Sequence, residues 1–221
     1  MRRRALGAAA VALTLALAGC AGDGGSKAED GTPAANQARE PQRIVPLNGD
    51  LAEIAFALGL GDEVVGVDTS ATYPAEAAAK PKIGYQRQLS AEGILSLRPT
   101  IAFGTAEAGP PEVIDQLKKA GVRVEILAAP STVDAIPQRI RDVAGALGVA
   151  DAGKALADRT QSEIDAAKAS IPAGRPKLRV AFLYLRGTTT AMLGGVGTRA
   201  DAMITAAGAT DAGTEAGVKG Y

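Results

Sequence analysis

The sequence predicts an α/β fold built on a parallel sheet with helices on both faces. Three observations predict it. Short β-like runs alternate with segments whose apolar residues recur three and four apart. Glycine and proline punctuate most of the junctions. One unusually long helical pattern, 151–171, is followed by a fresh strand-and-helix series. Strands that alternate with helices form parallel sheets, because each crossover must pack back onto the sheet it left.

The folded part begins near Arg43, and residues 43–47 read as the first strand. Asn48 can cap a helix whose apolar residues fall at Leu51, Ile54, Ala55 and Leu58, and Gly59 and Gly61 end it. Residues 63–68 (EVVGVD) read as a second strand. Ser90 can cap a short helix through Leu97, stopped before Pro99, and 100–103 is a strand. Pro111 opens a helix to Ala120 with Gly121 at its end. Residues 122–127 form another strand and 131–147 another helix.

In 151–171 the residues Ala152, Leu156, Thr160, Ile164, Ala167 and Ile171 fall close to one stripe. At 1.5 Å per residue that helix is roughly 30 Å long, about the width of a small domain. Such a helix either packs across one sheet or bridges two lobes. A strand at 178–185, a glycine loop and a helix from about Arg199 to Ala207 follow. One strand and one helix make no stable lobe, so the expectation is a fragment or truncated gene product with a second lobe begun and not finished at Tyr221.

Composition excludes several function classes. The net charge is +0, which argues against a nucleic-acid partner. Histidine is absent, so neither a Ser-His nor a Cys-His nucleophilic pair can form, and histidine-based zinc or copper sites are excluded. No acid-base pair supports an enzyme, and the expectation is a binding protein without turnover.

The N-terminus carries an address. Arg2, Arg3 and Arg4 precede an apolar run from Ala5 to Leu17, too short to span a bilayer and stay there, which is the pattern of a signal peptide over 1–19. The run ends Leu17-Ala18-Gly19-Cys20, which resembles the lipobox of bacterial lipoproteins. That resemblance implies cleavage before Cys20 and a lipid on its thiol; the alternative is an ordinary signal peptide with a chance cysteine. Cys20 is the single cysteine, so no intrachain disulfide is possible. Residues 20–42 lack apolar periodicity and read as a flexible, lipidated tether to the extracytoplasmic face of the cell membrane.

One constellation stands out. Tyr85-Gln86-Arg87 and Tyr184-Leu185-Arg186 repeat Tyr-x-Arg, once in each α/β series. A phenolate is a strong ligand for ferric iron, including haem iron. An adjacent arginine favours the charged phenol and is a good partner for carboxylates. The alternative is two tyrosines packed at strand ends with arginines on the surface. Gly195-x-Gly197-x-x-Ala200 has dinucleotide-loop spacing, but Gly194 to Gly197 reads better as a tight turn that brings backbone near a ligand. Glu92, at the start of the Ser90 helix, suits the helix dipole.

The stretches RIVPLNGDLAEIAFALGLGDEVVGVD (43–68), TSATYP (69–74), PKIGYQRQLSAEGILSLRPT (81–100) and AGPPEV (108–113) closely resemble the haemin-binding lipoproteins of bacterial ABC importers. The similarity continues through YLRG (184–187) and MLGGVGTRADAMI (192–204). The I-G-Y-x-R-x-L-S-x-E-G motif belongs to the haem branch, whereas the flanking strand and helix pattern is shared with cobalamin and ferric-siderophore binders. The resemblance implies the helical-backbone (class III) periplasmic-binding-protein architecture: two Rossmann-like lobes joined by a single long helix, the second lobe apparently truncated. The divisions it implies are an N-terminal lobe over 43–150, an interlobe helix over 151–171 and the start of a C-terminal lobe over 172–221.

By the same resemblance haem (heme) is the transported ligand, Tyr85 is an axial ligand of its iron, and Tyr184 is the second where both lobes contribute. Arg87 and Arg186 support them, and Gly194, Gly195 and Gly197 lie against the ligand. Glu92 is implied to dock on arginines of the importer permease, which works with an ATPase; the partner acid of the second lobe would lie beyond residue 221.

Overall fold

Buried apolar residues on alternate sides of three short strands require cover on both faces, and the chain supplies it. Residues 40–174 and 176–221 are described in the computed structural model; the signal segment, Cys20 and residues 20–39 of the tether lie outside them. The first strand, β1 (Ile44–Pro46), leads into α1 (Gly49–Ala57) and then a 3-10 turn at Gly61–Glu63. A single turn of helix, α2 (Ala75–Ala78), precedes a small antiparallel hairpin of β2 (Gly84–Tyr85) and β3 (Gln88–Leu89). Next come α3 (Ala91–Ser96), β4 (Ile101–Gly104), α4 (Pro111–Lys119) and β5 (Arg123–Ile126). Then α5 (Ile136–Leu147) and the long α6 (Ala150–Ala169) close this part.

The sheet has the order β1-β4-β5 and is parallel throughout, with Val45 opposite Ala102 and Phe103 opposite Glu125. Ile44, Ile101 and Phe103 point into one core with Leu51 and Ala55 of α1, Ile140, Val143 and Leu147 of α5, and Leu156 of α6. Val45, Leu47 and Ala102 point into the other with Ile94 of α3 and Ile114 and Leu117 of α4. The period of two along each strand thus makes three layers. Each fully buried Leu, Ile or Phe contributes about 1.5–3 kcal/mol relative to exposure. This is the arrangement that the strand–helix alternation predicted.

Four expectations change. Residues 63–68 do not make a regular strand; Val64 bridges to Ile44 and Val67 to Lys82, and nothing longer forms. The reason lies at Gly66. Glycine inside a strand weakens it, and there the chain leaves β1, with Val65 N–H on Ile44 O, to pair with 81–83 through Val67 and Ile83. The helix expected over 131–147 begins with a 3-10 turn, Val133–Ala135, and becomes α-helical only at Ile136. The loop containing Tyr85 is the β2–β3 hairpin. The single strand expected over 178–185 is two: β6 (Arg179–Val180) and β7 (Leu183–Arg186).

Residues β7 and β8 (Thr190–Leu193) form a second antiparallel hairpin, with Tyr184 opposite Met192. Then α7 (Arg199–Ala206) leads to β9 (Thr210–Asp211), which pairs in parallel with β6, and to α8 (Ala212–Glu215). Thr198 caps α7 by accepting from the Asp201 N–H at 3.1 Å, and Asp211 caps α8 through the Gly213 and Thr214 N–H groups. The long helix packs Gly153, Leu156 and Ala157 of its first half against the core; Ile164 and Ala167 of its second half, with Ile171 just beyond its end, form one side of an apolar groove of 460 Å³ whose other side is Met203 and Ala206 of α7 and the adjoining Ala207. Among the described residues no helix is long and apolar enough to cross a membrane.

Candidate functional site

The start of α1 is pinned from below. Gly49 donates its N–H to Ser70 Oγ at 3.2 Å, and that hydroxyl lies within 2.9 Å of both carboxylate oxygens of the fully buried Asp68. A Cβ at position 49 would stand 2.8 Å from the Ser70 carbonyl oxygen, so only glycine lets the helix end approach this turn. The Asn48 side chain does not cap the helix. Its Nδ2 donates instead to Asp50 Oδ1, and its buried Oδ1 has no partner among the described residues.

Arg139 of α5 reaches the same place from the core. Its side chain is only 3% exposed, donates from Nη2 to Asp50 Oδ2 at 3.0 Å and from Nη1 to the Ala128 carbonyl, and leaves Nε without a partner among the described residues. A buried guanidinium needs such a counter-charge, and Asp50, half exposed at 51%, supplies it at the solvent edge. One turn on, burial and then the neighbouring Asp50 charge push the Glu53 carboxyl above its ordinary range.

Tyr85 stands opposite. The β2–β3 hairpin that carries it requires Gly84, whose φ is +101° and whose Cβ would lie 2.6 Å from the Gln88 carbonyl. The hairpin is tied to its surroundings by Thr69 N–H to Gly84 O, Gly109 N–H to Gln86 O and Leu89 N–H to Gly109 O, each 2.9 Å. The Tyr85 side chain is left 44% exposed. Arg87, at the hairpin turn, pairs with Glu107 at 3.1 Å. The Glu107 carboxylate, and after it the Tyr85 phenol, hold the Arg87 guanidinium above its ordinary value.

These groups surround one cavity of 610 Å³. Asn48, Asp50, Glu53 and Ile54 of the α1 segment form one wall, Ser70, Tyr85 and Gln86 another, and Pro130, Ile136 and Arg139 a third. Arg199, the first residue of α7, also reaches in. The size falls in the ~300–1,000 Å³ range of small-molecule clefts, with apolar surface and a few convergent polar groups.

Of the residues anticipated for the site, Tyr85 lines this cavity, and Arg87 does not. Tyr184, Arg186, Gly194, Gly195 and Gly197 are not in its lining. Tyr184 occupies the first strand of the β7–β8 hairpin, 41% exposed, with Arg186 at the end of that strand. Each tyrosine thus lies on the first strand of a hairpin, followed two residues later by an arginine. The close approach at Gly194 and Gly195 is to the chain's own backbone: a Cβ on Gly195 would lie 2.2 Å from the Val218 carbonyl, and one on Gly213 would lie 1.9 Å from the Gly194 carbonyl. Gly197 has φ +84° at the turn into α7. Glu92 lies exposed in the first turn of α3, which Ser90 caps by accepting from Gly93 N–H at 3.0 Å. Among the described residues no cluster of acidic, cysteine or histidine groups could hold a bare metal ion.

Sequence reasoning missed Asn48, Asp50, Arg139 and Arg199 as cavity groups. Two of them had a signal. Arg139 falls on the apolar stripe of α5, between Ile136 and Val143, where a charge demands a partner. Arg199 places a cation at a helix start, where the dipole disfavours it.

A family model described as periplasmic binding protein matches residues 44–221. Among solved structures, the chain is similar to the periplasmic heme-binding protein RhuT from Roseiflexus sp. RS-1, with 49% identity and a TM-score of 0.78 over 82% of this chain and 69% of that one. It is similar to the periplasmic heme-binding protein BhuT in complex with two hemes, at 46% identity and a TM-score of 0.70 over 77% and 66% of the two chains. It is also similar to the heme-binding protein HutB of Vibrio cholerae, at 31% identity and a TM-score of 0.71 over 78% and 66%. Among curated proteins, it is 41% identical over 88 residues to YvrC of Bacillus subtilis, named as an uncharacterized ABC transporter substrate-binding lipoprotein. It is 30% identical over 104 residues to a vitamin B12-binding protein of Pectobacterium carotovorum. The matched stretches span 39% and 47% of this chain but only 28% and 37% of those two curated relatives.

Proposed function

Because the chain belongs to the periplasmic binding protein family, we propose that it captures haem outside the cytoplasm and delivers it to the permease of an ABC importer, with no chemical turnover. The observation that carries this reading is the position of Tyr85: a half-exposed phenol on the wall of a 610 Å³ cavity, two residues before an arginine that Glu107 holds. A tyrosine oxygen is one of the protein ligands that hold ferric haem iron. The heme-binding names of the similar solved structures support the same cargo.

In this reading Tyr85 is the axial ligand and Arg87, held by Glu107, is its positioning group. Tyr184 with Arg186 forms a second phenol–arginine pair for the opposite side of the porphyrin, and the Gly194, Gly195 and Gly197 turn lies against the ligand. Residues 43–150 form the first lobe, 151–171 the joining helix, and 172–221 belong to the second. Exposed Glu92 docks on basic groups of the permease, whose ATPase drives import. Residues 1–19 are a signal peptide and Cys20 carries the lipid that holds the protein at the membrane.

A second reading, a cobalamin or ferric-siderophore cargo, is favoured by the vitamin B12-binding relative. Competition decides between them. Titration of the protein with ferric haem, cobalamin and a hydroxamate siderophore, followed by absorption, is expected to give saturable binding of haem that neither competitor displaces at equal concentration. Displacement of haem by cobalamin would reverse the assignment.

A further inference from the structure

The cavity has an electrical polarity that the axial tyrosine does not explain. Three arginines stand in or beside it, and two are already engaged. Arg139 is bound to Asp50 and the Ala128 carbonyl, and Arg87 is bound to Glu107. Arg199 lines the cavity with neither an ion-pair nor a hydrogen-bond partner for its side chain among the described residues. Its place is electrostatically costly. It is the first residue of α7, where exposed N–H groups already make the helix end positive. The helix does not need it there, since Thr198 caps the end and Asp201 supplies the acid of the first turn.

The wall formed by α1 has the opposite sign. Asp50 is offset by Arg139, but Glu53 lines the cavity with no ion-pair partner among the described residues. A ligand bearing carboxylates is repelled by that wall and attracted to α7.

We propose that Arg199 recognises the carboxylates of the bound ligand, orienting them toward α7 and away from α1, and so selects a porphyrin diacid over a tetrapyrrole rimmed with neutral amides. The proposal rests on the haem reading above and deepens it. The chemistry suits the residue. A guanidinium offers five N–H donors in a planar fork that matches a carboxylate in bidentate fashion, and an arginine already paired cannot offer it. Amide side chains such as those around a corrin ring carry no charge for it to meet. Tyr85 can hold iron in either macrocycle orientation, whereas Arg199 distinguishes the two.

The test compares ferric protoporphyrin with its dimethyl ester, in which both carboxylates are blocked but the iron is unchanged. Both are titrated by visible absorption into the parent protein and into Arg199→Ala. A charge-assisted hydrogen-bonded pair predicts that the parent binds the diacid about tenfold or more tightly than the diester. In Arg199→Ala the ratio should fall to within about threefold, through weaker diacid binding, while the absorption spectrum of the bound iron stays the same. A parent-sized ratio in Arg199→Ala overturns the proposal and leaves the haem reading standing. Binding of neither porphyrin by the parent protein overturns both. Arg199→Ala replaces an exposed residue at a helix start with a strong helix former, and equal far-ultraviolet circular dichroism and melting temperature confirm that only the side chain has been removed.

Discussion

Replacing Asp50 by alanine should unfold the wall of the cavity from the inside. Arg139 is 3% exposed, and among the described residues Asp50 is its one carboxylate partner, 3.0 Å away. Removing one partner of a fully buried ion pair costs about 3–5 kcal/mol, because a charge is left in a poorly solvated place. A fully exposed pair is worth only about 0.2–1 kcal/mol. Asp50 is half exposed, so water can reach part of the vacated site, and the expected loss lies between these limits, at about 2 kcal/mol. Asn48 Nδ2 also loses its acceptor, in a side chain whose Oδ1 is already unpartnered among the described residues, which adds about 1 kcal/mol. The total of about 3 kcal/mol corresponds to a fall in Tm of roughly 6–12 °C for a domain of this size. Urea denaturation should report it as a lower midpoint at unchanged slope. Adding Arg139→Met removes the stranded cation and should recover most of the loss, so the double variant is more stable than Asp50→Ala alone. An Asp50→Ala protein within about 0.5 kcal/mol of the parent would refute this reasoning, as would a double variant no better than the single one.

The remaining predictions concern packing and titration. A Cβ on Gly153 of α6 would lie 2.1 Å from Ala144 Cβ of α5. Gly153→Ala gains about 1 kcal/mol of helix propensity but overpacks the contact by about 1–3 kcal/mol, so a net loss of about 1 kcal/mol is expected in thermal denaturation. Adding Ala144→Gly should relieve the overpacking, and a Gly153→Ala protein more stable than the parent would show that the two helices part freely. Glu53 holds its proton to higher pH in the folded chain than in the unfolded one. Any stability it contributes is therefore present at acid pH and lost as pH rises through its folded value. Glu53→Gln should raise Tm slightly at pH 7, with the gain vanishing below about pH 4, where both states are protonated. A gain that grows toward acid pH would contradict the sign.

Much of the frame was legible because its residues repeat with a helical or strand period. Leu51, Ala55 and Leu58 do so in α1, and Ile114 and Leu117 do so in α4. The long helix was placed to within two residues at its C-terminal end, and the Ser90 cap is made as expected. Two-residue strands such as β2, β3, β6 and β9 carry no periodicity, so pairing made over distance escaped notice. Asn48 was readable as a cap by type, but its Nδ2 donates to Asp50 two residues on and its Oδ1 accepts from no helix N–H. Tyr85 was singled out by its motif and lines the cavity. What motif and period could not convey was the company it keeps, because Arg139 and Arg199 come from elements far along the chain and meet it only in three dimensions.

The most direct measurement is the resonance Raman and visible spectrum of ferric haem bound to the parent protein and to Tyr85→Phe, which keeps the ring and removes the oxygen. The parent should display a high-spin ferric spectrum with iron–phenolate vibrations, and the variant should lose those vibrations and bind haem far more weakly. Identical spectra and equal affinity in the two proteins would contradict the account, since the iron would then be held by something other than the phenol at position 85.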